Sequence, residues 1–381
     1  MSKKNILVVV NGNYIFGAER VTLNILKGLK EKGYGVHCMV SGWNDGNFIT
    51  HLKELGITYT VIKLGWYYVT KILWSLDSLI NYPKAVLQFL RAKKKFKHDY
   101  VYVTSFRHII LLYPFLKKNI IYHVHDNNSH KKQSKFFLKL VDKKVLQYVA
   151  VSNYVKQDLV NCKISPEKIQ VIYNGIQIQP VFERPEHENF TIGIVGQVIT
   201  TKGHDMVVEA FKILRQKGYD VKLLIVGRGN EKFINFLKDK IEEYNLSSYV
   251  HWREFKNTHA EIYEGIDVVV APSILSEAFG LMACEANMFM MPAVVSEMGG
   301  QQEIIIDGYN GFKVDPLNPV AIAEKIAILY NNTDLVKMMG ENGRKRVSEI
   351  FSIDKMNLDF DSLINKIDSK EQSLLKEKLP A

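Results

Sequence analysis

The chain has 381 residues, of which 47% are hydrophobic and 24% charged, with a net charge of +10 and three cysteines. That length and apolar content supply two hydrophobic cores, which excludes a disordered or low-complexity chain and a single small module. Cys38, Cys162 and Cys284 stand far apart, which argues against a disulfide framework or a cysteine zinc site and fits a reducing, cytoplasmic compartment.

The opening MSKKNILVVVNGN has five apolar residues before Asn11. That is too short for a signal-peptide core or a membrane span, and neither is expected. NILVVV reads as a buried strand, ERVTLNILKGLKEKG as a helix ended by Gly33, GVHCMVS as a second strand and FITHLKELG as a second helix. YVYVTS, NIIYHVH and YVAVS read as further strands, with basic helical stretches between them. This β-α-β rhythm predicts a buried parallel sheet with helices on both faces. GIQIQPVFERPEHENF, with two prolines and no period, interrupts it and places a linker at 177–190. The rhythm then restarts with TIGIVG, GHDMVVEAFKILRQKG, VKLLIVG, EKFINFLKDKIEEYN and DVVVAPS. The expected organisation is a first domain at 1–176, a second at 191–354, and a C-terminal helix at 355–381 that returns to the first domain and ends in a frayed tail. The fold class is α/β, two doubly wound Rossmann-like domains facing a cleft, with ligands bound beyond the carboxyl ends of the strands.

Charge is unevenly placed. Between Arg91 and Lys144 fourteen lysines and arginines stand against three acids, Asp99, Asp126 and Asp142. Two readings are open: solvated helix faces in RAKKKFKH and KKQSKFFLKLVDKK, or a surface that meets anionic lipid headgroups or an anionic acceptor. No helix-turn-helix, zinc-finger or ribonucleoprotein signature accompanies the charge, so nucleic acid is not an expected partner.

Several stretches just after predicted strands carry candidate chemistry. In NGNYIFGAER, Gly17 and Ala18 precede a helix from about Glu19; this is an ordinary βα turn or one whose small residues admit a phosphate. The G-x-G-x-x-G spacing is absent. In GIVGQVITTKGHD, Lys202 lies six residues beyond Gly196 and just ahead of a helix starting near Gly203 or His204. It is a surface lysine or a point charge for a diphosphate, and no Walker loop surrounds it. HVHDN ends a strand with His123 and His125 on one side; His125 is the candidate to face the cleft, and no third ligand at zinc spacing stands nearby. In SEAFGLMACEA, Glu277 and Glu285 are eight positions apart. Within one helix they would be offset by about 80°. Glu277 is therefore placed in a loop, with a helix opening near Phe279 or Gly280 and Glu285 one to two turns inside it. Carboxylates on either side of a helix start suit an anion that carries hydroxyls on both sides, such as a phosphate joined to sugars.

FGAER, HVHD, AVS, NGI, GQVITTKG, IVGRG, APSILSEAFGLMACEA and GGQQEIIIDGYNGF occur in that order. Together they resemble the retaining nucleotide-sugar glycosyltransferases of family 4, which have a GT-B fold, over roughly residues 5 to 350. The resemblance implies that Glu277 binds the donor sugar's hydroxyls and Glu285 the ribose hydroxyls. Phe279, Gly280 and Leu281 would offer backbone N–H groups to the diphosphate and Lys202 would neutralise it. Gly17 would close over it from the other domain, and His125 would contact the donor sugar near the reacting carbon.

The chain departs from the family pattern in two places. Phe16 stands in the place of a glycine of the family's Gly-Gly-Ala, and Gln197 where it has an arginine. Arg228 in VGRGN is a candidate to supply the missing charge. The implied reaction is transfer of a hexose from a nucleoside diphosphate sugar, a UDP-sugar for preference, to an acceptor hydroxyl with retention of configuration. No cofactor is expected beyond the donor itself. No metal is expected either, since Lys202 and the helix start would do that work and the candidate loops carry no Asp-x-Asp motif. A GT-B partner that binds nucleotide sugar without turnover, and a nucleotide-sugar epimerase, are the alternatives. The aromatic segment LGWYYVTKILWSL reads as core or as lipid-interface material. With the basic stretch it suggests a peripheral enzyme at the inner face of a membrane, whose acceptor is a sugar or lipid-linked sugar of a bacterial surface polysaccharide.

Overall fold

The computed structural model describes residues 3–67, 71–127, 132–180, 190–256 and 258–376. It divides into two units, Met1–Gly175 with Ile353–Ala381, and Ile176–Ser352. The first unit holds strands β1 (Asn5–Val10), β2 (Gly35–Ser41), β3 (Thr58–Ile62), β4 (Tyr100–Val103), β5 (Ile120–Val124), β6 (Val145–Ala150) and β7 (Ile169–Val171). They pair in parallel in the order β3-β2-β1-β4-β5-β6-β7. Helices α1 (Gly17–Glu31), α2 (Asn47–Glu54), α3 (Ile72–Phe96), α4 (Phe106–Leu111), α5 (Lys132–Val141) and α6 (Asn153–Asn161) connect them.

The second unit repeats the plan. Strands β8 (Phe190–Val195), β9 (Val221–Val226), β10 (Val250–Arg253), β11 (Val268–Ala271), β12 (Ala293–Ser296) and β13 (Gly311–Val314) lie in the order β10-β9-β8-β11-β12-β13, again parallel. Its helices are α7 (His204–Gln216), α8 (Glu231–Glu243), α9 (His259–Tyr263), α10 (Leu281–Met288), α11 (Gln301–Ile304), α12 (Pro319–Tyr330) and α13 (Thr333–Ile350). Ile192, Ile194, Leu223, Ile225, Val268 and Val270 alternate onto one sheet face, under Phe211, Leu237 and Ile326 from α7, α8 and α12. α10 covers the other face with α13 behind it. Strands buried from both sides have to be apolar throughout, as VVVA of β11 and YVYV of β4 are.

The last helix, α14 (Ile353–Lys376), belongs to the first unit. It lies on α1 so closely that a Cβ at Gly28 would stand 2.2 Å from the Asn357 side chain. Asp361 on α14 accepts a hydrogen bond from the Tyr34 hydroxyl at 2.8 Å and pairs with Lys3 and Lys32. The linker expected at 177–190 falls largely on 181–189, which lie outside the described residues, as do 377–381 of the expected tail. Strands β3, β7, β10, β12 and β13 have no counterpart in the sequence reading. β7 has three residues and β10, β12 and β13 have four each, too few for a period to register, and partly exposed β3 shows no apolar run.

In each sheet the strand order reverses once, between β1 and β4 and between β8 and β11. The loops leaving those pairs emerge at the strand carboxyl ends, the end at which open parallel sheets bind ligands.

Buried histidines couple this fold to pH. His108 in the first unit and His204 in the second are each pushed down to about 4, from an ordinary 6.5, chiefly by burial. His108 Nδ1 and both ring nitrogens of His204 have no hydrogen-bond partner among the described residues. The unfolded rings take up a proton near 6.5 and the folded ones only near 4, so between those values the unfolded chain binds more protons. Stability therefore falls as pH is lowered through that window, by on the order of 3 kcal/mol per ring at its bottom. Urea unfolding followed across the window should show the midpoint dropping on acidification, with a shallower drop in His204→Gln. The same slope in both proteins would contradict the assignment.

Candidate functional site

At the β8/β11 switch point the two loops are fastened to each other. After β8 the chain turns at Gly196 (φ 144°) and reaches Gly203 in the left-handed region (φ 73°), where it caps α7. A Cβ at Gly203 would stand 2.2 Å from the Pro272 carbonyl oxygen in the loop after β11. The Ile274 N–H donates to the Thr201 carbonyl at 2.9 Å, which closes the join. Sheet order therefore brings together segments that the sequence separates by some seventy residues.

Two of the candidate residues meet across this join. Lys202 Nζ donates to Glu277 Oε1 at 2.7 Å, with the side chains 28% and 21% exposed. Ser273 Oγ donates to the same oxygen. Both hydrogen bonds fall on Oε1. A third loop braces the glutamate from behind. The Gly300 N–H donates to the Glu277 carbonyl at 2.7 Å. Any side chain at Gly299 (φ 76°) would begin 2.5 Å from that carbonyl, and one at Gly300 would begin 2.3 Å from the Ala278 carbonyl.

Helix α10 opens at Leu281 with Gly280 as its N-cap (φ 113°). Phe279 is buried and packs edge-on against Phe351 at 5.7 Å. That side chain anchors the helix start. Glu285, just over one turn into α10, has its own partners. Tyr263 OH donates to Oε2 at 2.8 Å and His259 Nε2 lies 3.3 Å from Oε1, both from α9. The helix itself is fixed by a buried amide network. Asn287 donates to the Met291 and Asn310 carbonyls, and Asn310 donates to Asn287 Oδ1 at 2.6 Å. On its outer side α13 approaches through Gly340 and Gly343, where a Cβ would stand 2.1 Å from the Met290 carbonyl and 2.6 Å from the Asn287 side chain.

The remaining second-unit candidates lie apart from the pair. Gln197 is exposed, in the loop after β8. Arg228 follows β9, and its backbone is tied to that loop by the Val198 N–H donating to its carbonyl at 3.0 Å. Its guanidinium is 71% exposed and pairs with Glu254. The Asp-x-Asp triplet of the chain, Asp359-Phe360-Asp361, lies in α14, where Asp359 pairs with Lys355 and Asp361 with Lys3, Lys32 and Tyr34. It is spent on packing.

In the first unit Gly17 is the exposed first residue of α1, behind Phe16, which is 58% exposed. His125 follows β5 with its ring 4.1 Å from that of His123. Burial pushes it down to about 4, and its Nε2 has no partner among the described residues. It is therefore a neutral ring at ordinary pH. His123 is fully buried, donating to or accepting from Tyr102 OH at 2.6 Å and packing edge-on against Phe360 of α14. The same unit carries a cavity of about 490 Å³ at the carboxyl ends of β1 to β4, between Asn11, Trp43, Trp66, Trp74, Arg107 and His108. Sequence reasoning missed this cavity, along with Ser273, His259 and Tyr263. Ser273 had a signal, its position directly after a strand; His259 and Tyr263 had none, because only the turn of α9 aims them at Glu285.

Two Rossmann-like domains, the second with a charged pair at its switch point, define the structural class. A model of group 1 glycosyl transferases matches residues 176–346, and a model of glycosyltransferase family 4 matches residues 15–179. The capsular polysaccharide biosynthesis glycosyltransferase CapM of Staphylococcus aureus is 29% identical over 259 residues, 61% of this chain and 66% of CapM. That match spans just under two thirds of the relative. A glycosyltransferase from Rickettsia africae has a TM-score of 0.82 at 24% identity, covering 96% of this chain and 99% of its own. HepE from Anabaena, in complex with UDP and glucose, has a TM-score of 0.78 at 20% identity, covering 95% and 99%. These structural likenesses show the fold. With the two models taking in most of the sequence, the chain belongs to the family 4 glycosyltransferases of GT-B fold.

The close approach of the two loops predicts the cost of a single methyl group. Gly203→Ala places a Cβ against the Pro272 carbonyl at a left-handed φ, and should lower stability by roughly 1–3 kcal/mol. Gly218→Ala, with an equally left-handed φ but nothing within 4 Å of a Cβ, should cost less. Equal losses in thermal unfolding would mean that backbone strain alone, without the contact, explains the effect.

Proposed function

We propose that the protein transfers a hexose from a nucleoside diphosphate sugar to an acceptor hydroxyl with retention of configuration, without a metal. The observation that carries this reading is the Lys202–Glu277 pair, a cation and a carboxylate set side by side just ahead of the start of α10 at Leu281. A UDP-sugar is the favoured donor. It is in keeping with HepE, a structural neighbour that holds UDP and glucose, while the likeness to CapM favours polysaccharide assembly.

On this reading Lys202 and the N–H groups of 279–281 receive the diphosphate, where a fixed positive field stabilises the charge that builds on the leaving group. Glu277 Oε2 takes a sugar hydroxyl and Glu285 the ribose hydroxyls. The bond from the anomeric carbon to the phosphate oxygen breaks, its electron pair leaving with the diphosphate. The acceptor oxygen bonds to the same face of that carbon, and its proton passes to the departing phosphate oxygen. His125, neutral, positions the sugar by hydrogen bonding and carries no charge into the step. The acceptor is a sugar or lipid-linked sugar, met at an anionic membrane surface on the cytoplasmic side through the lysines between Arg91 and Lys144. Of those lysines, Lys131 lies outside the described residues, while Lys135 and Lys139 are exposed on α5.

Gln197 in place of an arginine favours one rival: a protein that binds nucleotide sugar without turning it over. Release of UDP across a panel of donors and acceptors decides between them. Acceptor-dependent release that survives chelation supports transfer, UDP binding without release supports the rival, and a free epimer without acceptor would indicate an epimerase. His125→Ala should abolish release while donor binding persists. Lys202→Ala should weaken UDP at least about tenfold more than UMP, and equal losses would move it out of the site. Glu285→Ala should weaken both nucleotides alike, since both carry the ribose. Glu277→Ala frees Lys202 from its counter-charge, so turnover should collapse while UDP affinity holds or rises.

A further inference from the structure

Helix α3 is apolar on two sides. Seen down its axis, Ser78, Tyr82, Ala85, Val86, Phe89 and Ala92 form one stripe that packs inward. Ile72, Leu76, Leu79, Ile80, Leu87 and Leu90 form a second, nearly opposite stripe within an arc of about 120°. The second stripe faces outward: Ile72 is 68% exposed, Leu79 57%, Ile80 75% and Leu87 54%. A helix at the surface of a globular domain ordinarily turns a polar face outward, so a continuous outward apolar stripe marks a surface that meets something other than water.

Charge decides what that is. Lys71, Lys84, Arg91, Lys94 and Lys95 are exposed along the same helix. Its one acid, Asp77, is engaged by Trp43 Nε1 at 2.7 Å, Asn81 and Lys63. A second copy of this chain would bring like charges together with no acid on the stripe to pair them. An anionic bilayer offers the complement, acyl chains for the apolar stripe and headgroups for the flanking cations. Among the described residues no helix is long and apolar enough to cross a membrane, which suits a helix that lies in the interface. The same helix also walls the cavity of the first unit: Leu73 and Trp74, 79% and 64% exposed, line it. Inside it Arg107 sits over the Trp66 ring at 5.7 Å, a cation and an aromatic platform of the kind that holds a phosphate-borne sugar.

We propose that the outward stripe of α3 embeds in the headgroup boundary of an anionic membrane and holds the mouth of this cavity at the bilayer surface, so that the acceptor is a sugar carried on a lipid phosphate. This rests on the proposed transferase reading for the word acceptor alone; the membrane contact stands without it. The contact also differs from simple adsorption by lysines, because acyl burial resists salt.

Flotation of the full chain with phosphatidylglycerol–phosphatidylcholine vesicles, at low and high salt, is the test. Binding should persist in part at high salt. The variant carrying Leu76→Gln, Leu79→Gln, Ile80→Gln and Leu87→Gln should lose at least about tenfold in vesicle affinity, with an unchanged urea midpoint because those side chains are exposed. Brominated acyl chains should quench the wild-type fluorescence, and the fourfold variant should lose most of that quenching. Binding that vanishes entirely in salt, or that the fourfold variant leaves intact, overturns the proposal. So does a vesicle-free dimer that the fourfold variant dissolves, since the stripe would then be a subunit interface. UDP release with a water-soluble acceptor, run in parallel, tests the transferase reading separately: the fourfold variant should match wild type there, and absence of release in both would sink that reading while leaving the membrane result to stand.

Discussion

The ion pair between Lys202 and Glu277 is the contact on which the candidate site depends. It joins residues 75 positions apart, and it exists because β8 and β11 are neighbours in a parallel sheet whose order reverses between them. Parallel strands release their following loops at the same end, so the loop after β8 and the loop after β11 emerge side by side. Glycine then lets them touch. Gly203, Gly299 and Gly300 bring backbone against backbone at distances that a side chain would forbid. The pair is partly shielded from solvent, which lessens screening and makes each charge costly to leave alone.

Rigidity around the pair comes from apolar and amide packing at one remove. Phe279 is wedged against Phe351, and Asn287 and Asn310 satisfy each other and the nearby carbonyls. A buried polar network with its groups paired specifies one arrangement, because any other leaves a donor or acceptor stranded. Helix α10 is thereby aimed by side chains buried behind it. Glu285 inherits its direction from that helix, and its two oxygens from Tyr263 and His259.

The first unit shows the same sheet logic put to another use. Its switch point lies between β1 and β4, and the loops beyond β1 to β4 surround a cavity instead of zipping together. Aromatic walls and an arginine give that cavity a chemistry unlike that of the second unit. Helix α3 closes one side of it and faces outward with apolar residues, so one element both walls a cavity and forms an unusual surface.

Much of this was legible in the sequence because it follows from local rules. Short, unbroken, valine-rich apolar runs such as NILVVV and DVVVAPS read as strands buried on both sides, and their alternation with amphipathic helices implies two doubly wound sheets. Position just after a strand singled out Lys202, His125 and Glu277. Helix geometry alone separated Glu277 from Glu285 into loop and helix. What the sequence could not contain is which strands are neighbours, since strand order depends on crossovers and packing across the whole unit. The tertiary structure therefore decided that Lys202 meets Glu277, that Arg228 is taken by Glu254 and that Glu285 leans on Tyr263 and His259. It also decided which apolar stripe of α3 packs inward and which faces out, since the outward Ile and Leu stripe is by sequence the more apolar of the two and yet Ala85 and Phe89 are the residues buried.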